Sequence, residues 1–388
     1  MTPLSRLKSM GLSTGLAGWL VMTAPRLLHA ENAISYKYED YREADGRIAV
    51  RTQGALFEQD FGPDLHLKLE GVIDAISGAT PNGQPAPAGS DQVVLTELKK
   101  NRTAWNAEFS RQFPGLNLAL GFARSHERDY VSTGWSANTL TAFNQKNTLL
   151  LAGIAGTDDQ VKVFYQTPWA HKRTADVIVG LTQLLDPLTS VTFDLTAGRA
   201  TGFLSSQYKL VQKNIEVAPG IFLPFTFAEN RPDERTKWTA VASLNHAFTG
   251  LHGAVEAGYR FYHDTFGTNA HTLTLTWIQR VGEKFILQPE LRLYDQSAAS
   301  FYHYNLDQTS IMPVAGAPPT QGPFYSSDFR ISALRTFACS LKAVWTATAR
   351  LQFDVALGTY DMRGRDGVTP QSAYPRASVV TAGVKFLW

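Results

Sequence analysis

Three places along the 388-residue chain bring together residue types that do chemistry in pairs. His246 follows Asn245, His263 precedes Asp264, and Asp158 adjoins Asp159. A histidine oriented by a carboxylate or carboxamide is the base half of nucleophilic hydrolysis, and two adjacent carboxylates do acid–base work. None of the three comes with a nucleophile motif, and Asp158-Asp159 falls in what reads as a short turn at 156–159. His252 and His271 lack the spacing of a zinc site. The single Cys339 forms neither an internal disulfide nor a cysteine cage, and it reads as a small buried hydrophobe. There is no phosphate-binding glycine loop, dinucleotide fingerprint, haem-attachment site or Asp-rich calcium loop. The expectation is a protein without catalytic residues, cofactor or metal.

Charge elsewhere follows a different rule: it alternates with grease. From 65 to 77, Leu65, Leu67, Leu69, Ile73 and Ala75 share one parity, while His66, Lys68, Glu70 and Asp74 share the other. Val191, Phe193 and Leu195 alternate with Thr192, Asp194 and Thr196, and Leu351, Phe353, Val355 and Leu357 with Gln352, Asp354 and Gly358. Period two is the strand signature. The best amphipathic-helix pattern is only 91–99, with Val94, Leu95 and Leu98. Charged residues make up 18%, below the usual ~25% of soluble chains, and aromatics 11%. Lys+Arg of 36 against Asp+Glu of 34 gives a net charge of +2, which excludes binding nucleic acid mainly through its phosphates. A mean hydropathy of −0.16 is too polar for a bundle of membrane helices.

The fold class these patterns imply is all-β: a transmembrane antiparallel β-barrel of about 16 strands, with 14 to 18 open. The strands are expected at 33–41, 46–60, 65–77, 101–113, 116–131, 138–156, 160–170, 172–184, 190–204, 236–248, 252–265, 270–281, 285–298, 328–346, 351–362 and 376–388. Short turns at one rim and long Pro-rich loops at the other fit a barrel of the outer-membrane type. Residues 1–30 read as a signal peptide: Arg6 and Lys8 precede an uncharged stretch at 11–24 that is too short for a ~20-residue membrane span, and Ala30 suits the cleavage position. Residues 31–388 are then the barrel, with the outer membrane as its destination.

With the apolar parity facing lipid, the other parity lines the lumen. That set is Lys68, Glu70, Asp74, Glu108, Asp176, Asp194, Glu256, Arg260, Glu290, Arg292, Asp354 and Lys385. It carries both signs, as cross-lumen ion pairs or a wet wall would. Aromatics near strand ends, among them Phe57, Phe61, Phe113, Tyr130, Trp135, Trp169, Trp238, Phe248, Tyr259, Trp277, Tyr294 and Tyr360, suit interface girdles. Lys99-Lys100 and His171-Lys172-Arg173 read as loop residues. In the last segment Val380, Ala382, Val384, Phe386 and Trp388 make one apolar face that ends the chain on an aromatic. This resembles the C-terminal signal read by the barrel-assembly machinery.

The stretch Tyr36-Lys-Tyr-Glu-Asp-Tyr-Arg-Glu-Ala-Asp-Gly-Arg47-Ile48 resembles the opening signature of an uncharacterised bacterial family, domain-of-unknown-function family 3570, and Leu69-Glu-Gly-Val-Ile-Asp-Ala-Ile-Ser-Gly-Ala-Thr-Pro81 fits it too. Tyr36, Tyr38, Tyr41, Glu43, Asp45, Gly46 and Arg47 carry the first motif. They make either a rim ligand site or a first hairpin in which Glu43 or Asp45 pairs with Arg47 across an Asp45-Gly46 turn. The resemblance implies an outer-membrane barrel and brings no substrate, cofactor or catalytic residue. The functional expectation is a channel or exporter for a small solute. The alternative is a scaffold barrel docking a periplasmic or lipoprotein partner, and a barrel hydrolase ranks behind both. Lipid and the assembly machinery are the expected contacts.

Overall fold

The computed structural model describes residues 32–388, and the expected leader, 1–30, lies outside them. Sixteen strands form one closed antiparallel cylinder. They come in chain order as β1 (Ala33–Glu43), β2 (Ala49–Phe61), β3 (Leu65–Ser77), β6 (Lys100–Phe113), β7 (Leu116–Glu127), β8 (Tyr130–Phe143), β9 (Thr148–Val161), β10 (Ala170–Asp186), β11 (Thr189–Gly202), β14 (Glu234–Phe248), β15 (Gly253–Asp264), β16 (Asn269–Val281), β17 (Phe285–Gln296), β18 (Leu334–Thr346), β19 (Leu351–Gly364) and β20 (Arg376–Leu387). Two small hairpins sit in loops: β4 (Ala79–Pro81) with β5 (Leu95–Glu97), and β12 (Leu210–Ala218) with β13 (Ile221–Ala228). The 91–99 segment therefore contributes a short strand rather than a helix. Each barrel strand pairs with its neighbour in sequence. The cylinder is sealed by β1 against β20, from Ala33↔Leu387 to Glu43↔Ala377. Closure leaves no strand edge unpaired, which is what a wall in hydrocarbon requires.

The two faces of each strand differ as period two demands. Outward residues such as Val177, Val179, Leu181, Phe193, Leu195, Val355 and Leu357 are exposed apolar side chains. An apolar belt of this extent is foreign to a water-soluble surface and matches a lipid one. The rim bearing Asn32 and Trp388 carries only short turns, at 62–64, 114–115, 144–147, 187–188, 249–252, 282–284 and 347–350. The opposite rim carries the long loops 78–99, 203–233, 297–333 and 365–375, together with 162–169 and three short links at 44–48, 128–129 and 265–268.

Between residues 130 and 172 the strands are offset from the sequence reading. The expected strands 138–156 and 160–170 are replaced by β8 and β9, and 162–169 is loop. The turn that divides β8 from β9 is Asn144-Gln145-Lys146, all three in the left-handed region at φ 48°, 55° and 70°. Glycine is absent there, so the turn left no glycine or proline mark in the sequence. The expected turn at 156–159 lies inside β9, where Gly156 makes room for the Trp135 ring. Cys339 is exposed on the outward face of β18, not buried. Lys100 and Lys172 belong to strands rather than loops.

Candidate functional site in the barrel interior

The charges named from sequence occupy the occluded parity of their strands. Asp74, Asp176, Asp194 and Lys385 are buried. Lys68, Glu70, Glu108, Glu256, Glu290, Arg292 and Asp354 are half-buried, and Arg260 is exposed. The ladder registers tie these parities into one continuous surface. Thr52 opposes Asp74, Asp74 opposes Arg102, and Asp354 opposes Gly383, which opposes Lys37 on the closing strand.

Most of this wall is neutralised by its own neighbours. Arg102 holds Asp74 at 2.6 Å, and the Thr52 hydroxyl donates to the same carboxylate at 2.7 Å. Lys172 lies 3.5 Å from Asp159, which also accepts from the Tyr130 hydroxyl at 2.7 Å and from Ser132. Arg235 pairs with the fully buried Asp264, and that carboxylate also accepts from the Phe266 and Thr268 amides. Buried charge is tolerable only when so paired and bonded.

Two pairs reach across an intervening strand, and glycine is the reason. Lys237 on β14 meets Asp176 on β10 at 2.9 Å, passing over β11 at Gly198. Lys37 on β1 meets Asp354 on β19 at 3.3 Å, passing over β20 at Gly383. A Cβ built at Gly198 would strike the Asp176 carboxylate and the Lys237 chain, and one at Gly383 would strike Asp354 and crowd Lys37. Lys342 adds a second ammonium 4.0 Å from Asp354. Lys37, Arg102, Lys237 and Lys342 carry no sequence expectation, and Asp159 and Lys172, expected in a turn and a loop, are not in the expected lumen set. The signal that would have found them is the ladder register, which sets Arg102 against Asp74, Lys172 against Asp159 and Lys342 diagonal to Asp354, and puts Lys37 and Lys237 one strand beyond the glycines that face Asp354 and Asp176.

Three aromatics expected in the girdle point the other way. Tyr130, Tyr294 and Tyr360 share the inward parity, and Trp169 lies in the 162–169 loop. The histidines considered for catalysis face outward and away from one another. His246 bonds Thr189 at 2.8 Å, while His263 stacks on Trp238 and bonds Asn269 at 2.9 Å. The hydroxyl beside His246 is that of Thr189 on the outward wall, and His263 meets only a carboxamide oxygen and an indole face.

The signature segment closes the first hairpin. Asp45 (φ 58°) and Gly46 (φ 66°) make the left-handed turn, and Arg47 returns to Glu43 at 3.1 Å. Tyr41 donates to Glu43 at 3.1 Å and Tyr38 approaches Asp40 at 3.4 Å. Tyr36 faces outward and donates to Gln53 at 3.0 Å. Arg47 is buried and donates to the carbonyls of Ser372 and Ala373, anchoring the last long loop to the first turn. At the other rim Trp388 stacks on Phe386 at 6.2 Å and lies 5.9 Å from Phe57, while Val380, Ala382 and Phe386 are exposed on the outward face and Val384 is half-buried there.

The long loops roof the barrel. Val93, Phe329, Leu334, Ala373 and Tyr374 form one apolar cluster, and Val211, Leu306 and Tyr325 another. Between them lies a buried ionic knot. Asp328 accepts from Arg330 at 2.6 Å and from Arg231 at 2.8 Å; Arg231 lies 2.8 Å from Glu229, which takes the Ser326 hydroxyl at 2.5 Å. Lys209 donates to the Pro81 carbonyl and stands 5.3 Å over the Phe329 ring. Its burial lowers the ammonium pKa to about 8. Asp328 is held well below the usual carboxylate range because the Arg330, Lys209 and Arg231 charges overcome its desolvation. The knot joins loops 203–233 and 297–333 to loop 78–99.

The family model described as "Protein of unknown function (DUF3570)" matches residues 19–171 and 164–374, which is nearly the whole barrel. The chain belongs to this family. No curated protein sequence matches it. Among solved structures, the DUF3570 barrel resembles a "Bacterial polysaccharide outer membrane secretin" at 7% identity and a TM-score of 0.49, over 93% of this chain and 99% of that one. It also resembles the outer membrane protein opdK from Pseudomonas aeruginosa (10% identity, TM-score 0.43, 92% and 99%) and the "CymD monoaromatic hydrocarbon channel" (10%, 0.41, 93% and 89%). Likeness at this level concerns barrel architecture and transfers no cargo.

Proposed function

We propose that the protein is a channel for a small solute across the outer membrane, with the short-turn rim toward the periplasm and the loop roof outside. The observation that carries this reading is the closed wall itself, apolar outside and charged, hydroxylated or glycyl inside. Sixteen strands spaced ~4.8 Å apart and tilted by about 40° enclose a backbone cylinder roughly 30 Å across. Inward side chains leave a water-filled width of about 15 Å below the roof. On β7 to β9 the inner wall includes small residues such as Gly121, Ala123, Gly134, Ser136, Gly153 and Ala155, which favours a wider passage on that side. Lys68, Glu70, Glu108 and their fellows are proposed to wet this passage and to filter by charge.

The test is single-channel recording of the purified, heat-modifiable protein in planar bilayers. Discrete conductance steps support the channel. A folded barrel that stays silent refutes it. One observation favours a second reading as a docking barrel. The β12–β13 hairpin is rooted in the roof through Val211, but its tip projects, with Val217, Ile221, Phe222, Leu223 and Phe225 exposed. Co-purification of a partner that is lost on deleting residues 216–223, with a silent bilayer, would favour docking.

A further inference from the structure

Arg260 and Arg292 break the pattern of self-neutralised charge. Arg260 on β15 opposes Thr272 on β16, which opposes Tyr294 on β17; Arg292 on β17 opposes Thr274, which opposes Gly258. The two guanidiniums thus share the inward face, two strands apart and one ladder step from each other. That is roughly 10 Å between backbones, within reach of two long side chains converging on one group. Among the described residues neither has a carboxylate within ion-pairing distance. The nearest acids on that face are Glu290, two residues from Arg292, and Glu256 and Asp264, each four from Arg260; Asp264 is taken by Arg235, and neither glutamate forms an ion pair.

Their surroundings suit an anion with an apolar body. Arg260 stands 6.0 Å over the Tyr262 ring. The hydroxyl of Tyr262 is fixed by Arg235 at 2.8 Å and by Asp264 at 2.5 Å, and that of Tyr294 donates to Gln296 at 2.5 Å, so both rings are held in place. Tyr360 opposes Ala338, which opposes Arg292, and flanks the patch from the other side. Gly258, between Arg260 and Glu256, faces open space where a side chain would stand. Two fork-shaped cations match a carboxylate's paired oxygens, and tyrosine faces match an apolar ring.

We propose that Arg260 and Arg292 form a binding subsite for a small organic carboxylate on the inner wall, with Tyr262, Tyr294 and Tyr360 covering its apolar part. As a station along the passage it rests on the channel reading, but binding itself does not. Benzoate and its neutral isostere benzamide are the probes, applied to the purified full-length barrel and to Arg260→Gln, Arg292→Gln and the double variant, each first shown to be heat-modifiable. In bilayers benzoate is expected to interrupt the wild-type current, benzamide is not, and the double variant is expected to lose at least tenfold in benzoate sensitivity. Equal block by both probes, or undiminished block in the double variant, overturns the subsite. So does a change in chloride selectivity without any benzoate block, which would mean diffuse attraction of inorganic anions. Calorimetric titration of benzoate into the detergent-solubilised protein separates the two claims. Arginine-dependent binding by a silent barrel sinks the channel and keeps the subsite; conductance without such binding sinks the subsite and keeps the channel.

Discussion

Replacing Asp328 by asparagine would test whether the roof is held by charge or only by its apolar clusters. The substitution keeps the shape and one acceptor oxygen but removes the carboxylate that Arg231 and Arg330 share. What remains buried is three cations, Lys209, Arg231 and Arg330, against Glu229 alone. Leaving charge uncompensated in a buried ion cluster costs about 3–5 kcal/mol. At 1.4 kcal/mol per decade, this raises the open population of the roof by roughly two to three and a half orders of magnitude. Hydrogen–deuterium exchange read by mass spectrometry resolves this locally. Peptides from 203–233 and 297–333 should exchange faster by that factor, while those from β7 and β10 keep wild-type protection. Asp295→Asn, which breaks a more exposed pair with Arg365, is the control and should shift exchange by less than tenfold. Unchanged protection in both loops, or an equal loss throughout the strands, would refute the idea that the knot latches the roof independently of the wall.

Four further outcomes follow from the same geometry. Because burial lowers the Lys209 pKa from 10.5 to about 8, the unfolded segment binds more protons between those values, so loop stability should rise as pH climbs from 8 to 10.5 and stay at its lower level beneath 8; protease resistance of the roof across that window checks the sign. Gly383→Val should push Lys37 and Asp354 apart and lower the melting temperature of the barrel by several degrees, whereas the same change at Gly71, whose Cβ would meet nothing, should not. Trp388→Ala removes the terminal ring packed on Phe386 and Phe57 and should reduce the yield of heat-modifiable protein in a reconstituted assembly assay without altering melts of what does fold. Cys339, exposed halfway along the outward face of β18, should react with an apolar maleimide in proteoliposomes and resist a charged, impermeant one; rapid labelling by the latter would contradict a lipid-facing wall.

The barrel was legible because two independent regularities agree in nearly every strand: side-chain parity and the spacing of turns. Parity is fixed by the pleat, so Leu69 and Glu70 point opposite ways whatever their partners are. The reading slipped where a turn lacked its usual chemistry, at Asn144-Gln145-Lys146, and where glycine served packing rather than turning, at Gly156. The strand count came out at sixteen even so, since a missed turn in 138–156 was offset by a loop taken for a strand at 160–170. Tyr130, Tyr294 and Tyr360 escape the girdle expectation because position near a strand end says nothing of which wall a ring faces. The interior pairings were less visible still. Asp176 with Lys237 and Asp354 with Lys37 skip a strand, and only the register of three consecutive ladders brings them together. The knot of Lys209, Glu229, Arg231, Asp328 and Arg330 joins residues from irregular segments that follow no periodicity at all.

The seam between β1 and β20 sets a timetable. Ala33 meets Glu58 on β2 on one side, but its other neighbour, Leu387, arrives only with β20. The sheet therefore has nothing to close against until β20 has been made. Until then both border strands offer bare amides and carbonyls to whatever strand comes near, and the greasy belt has no lipid to meet. Closing the seam satisfies both borders in one step, so it is the last and least local pairing this wall makes.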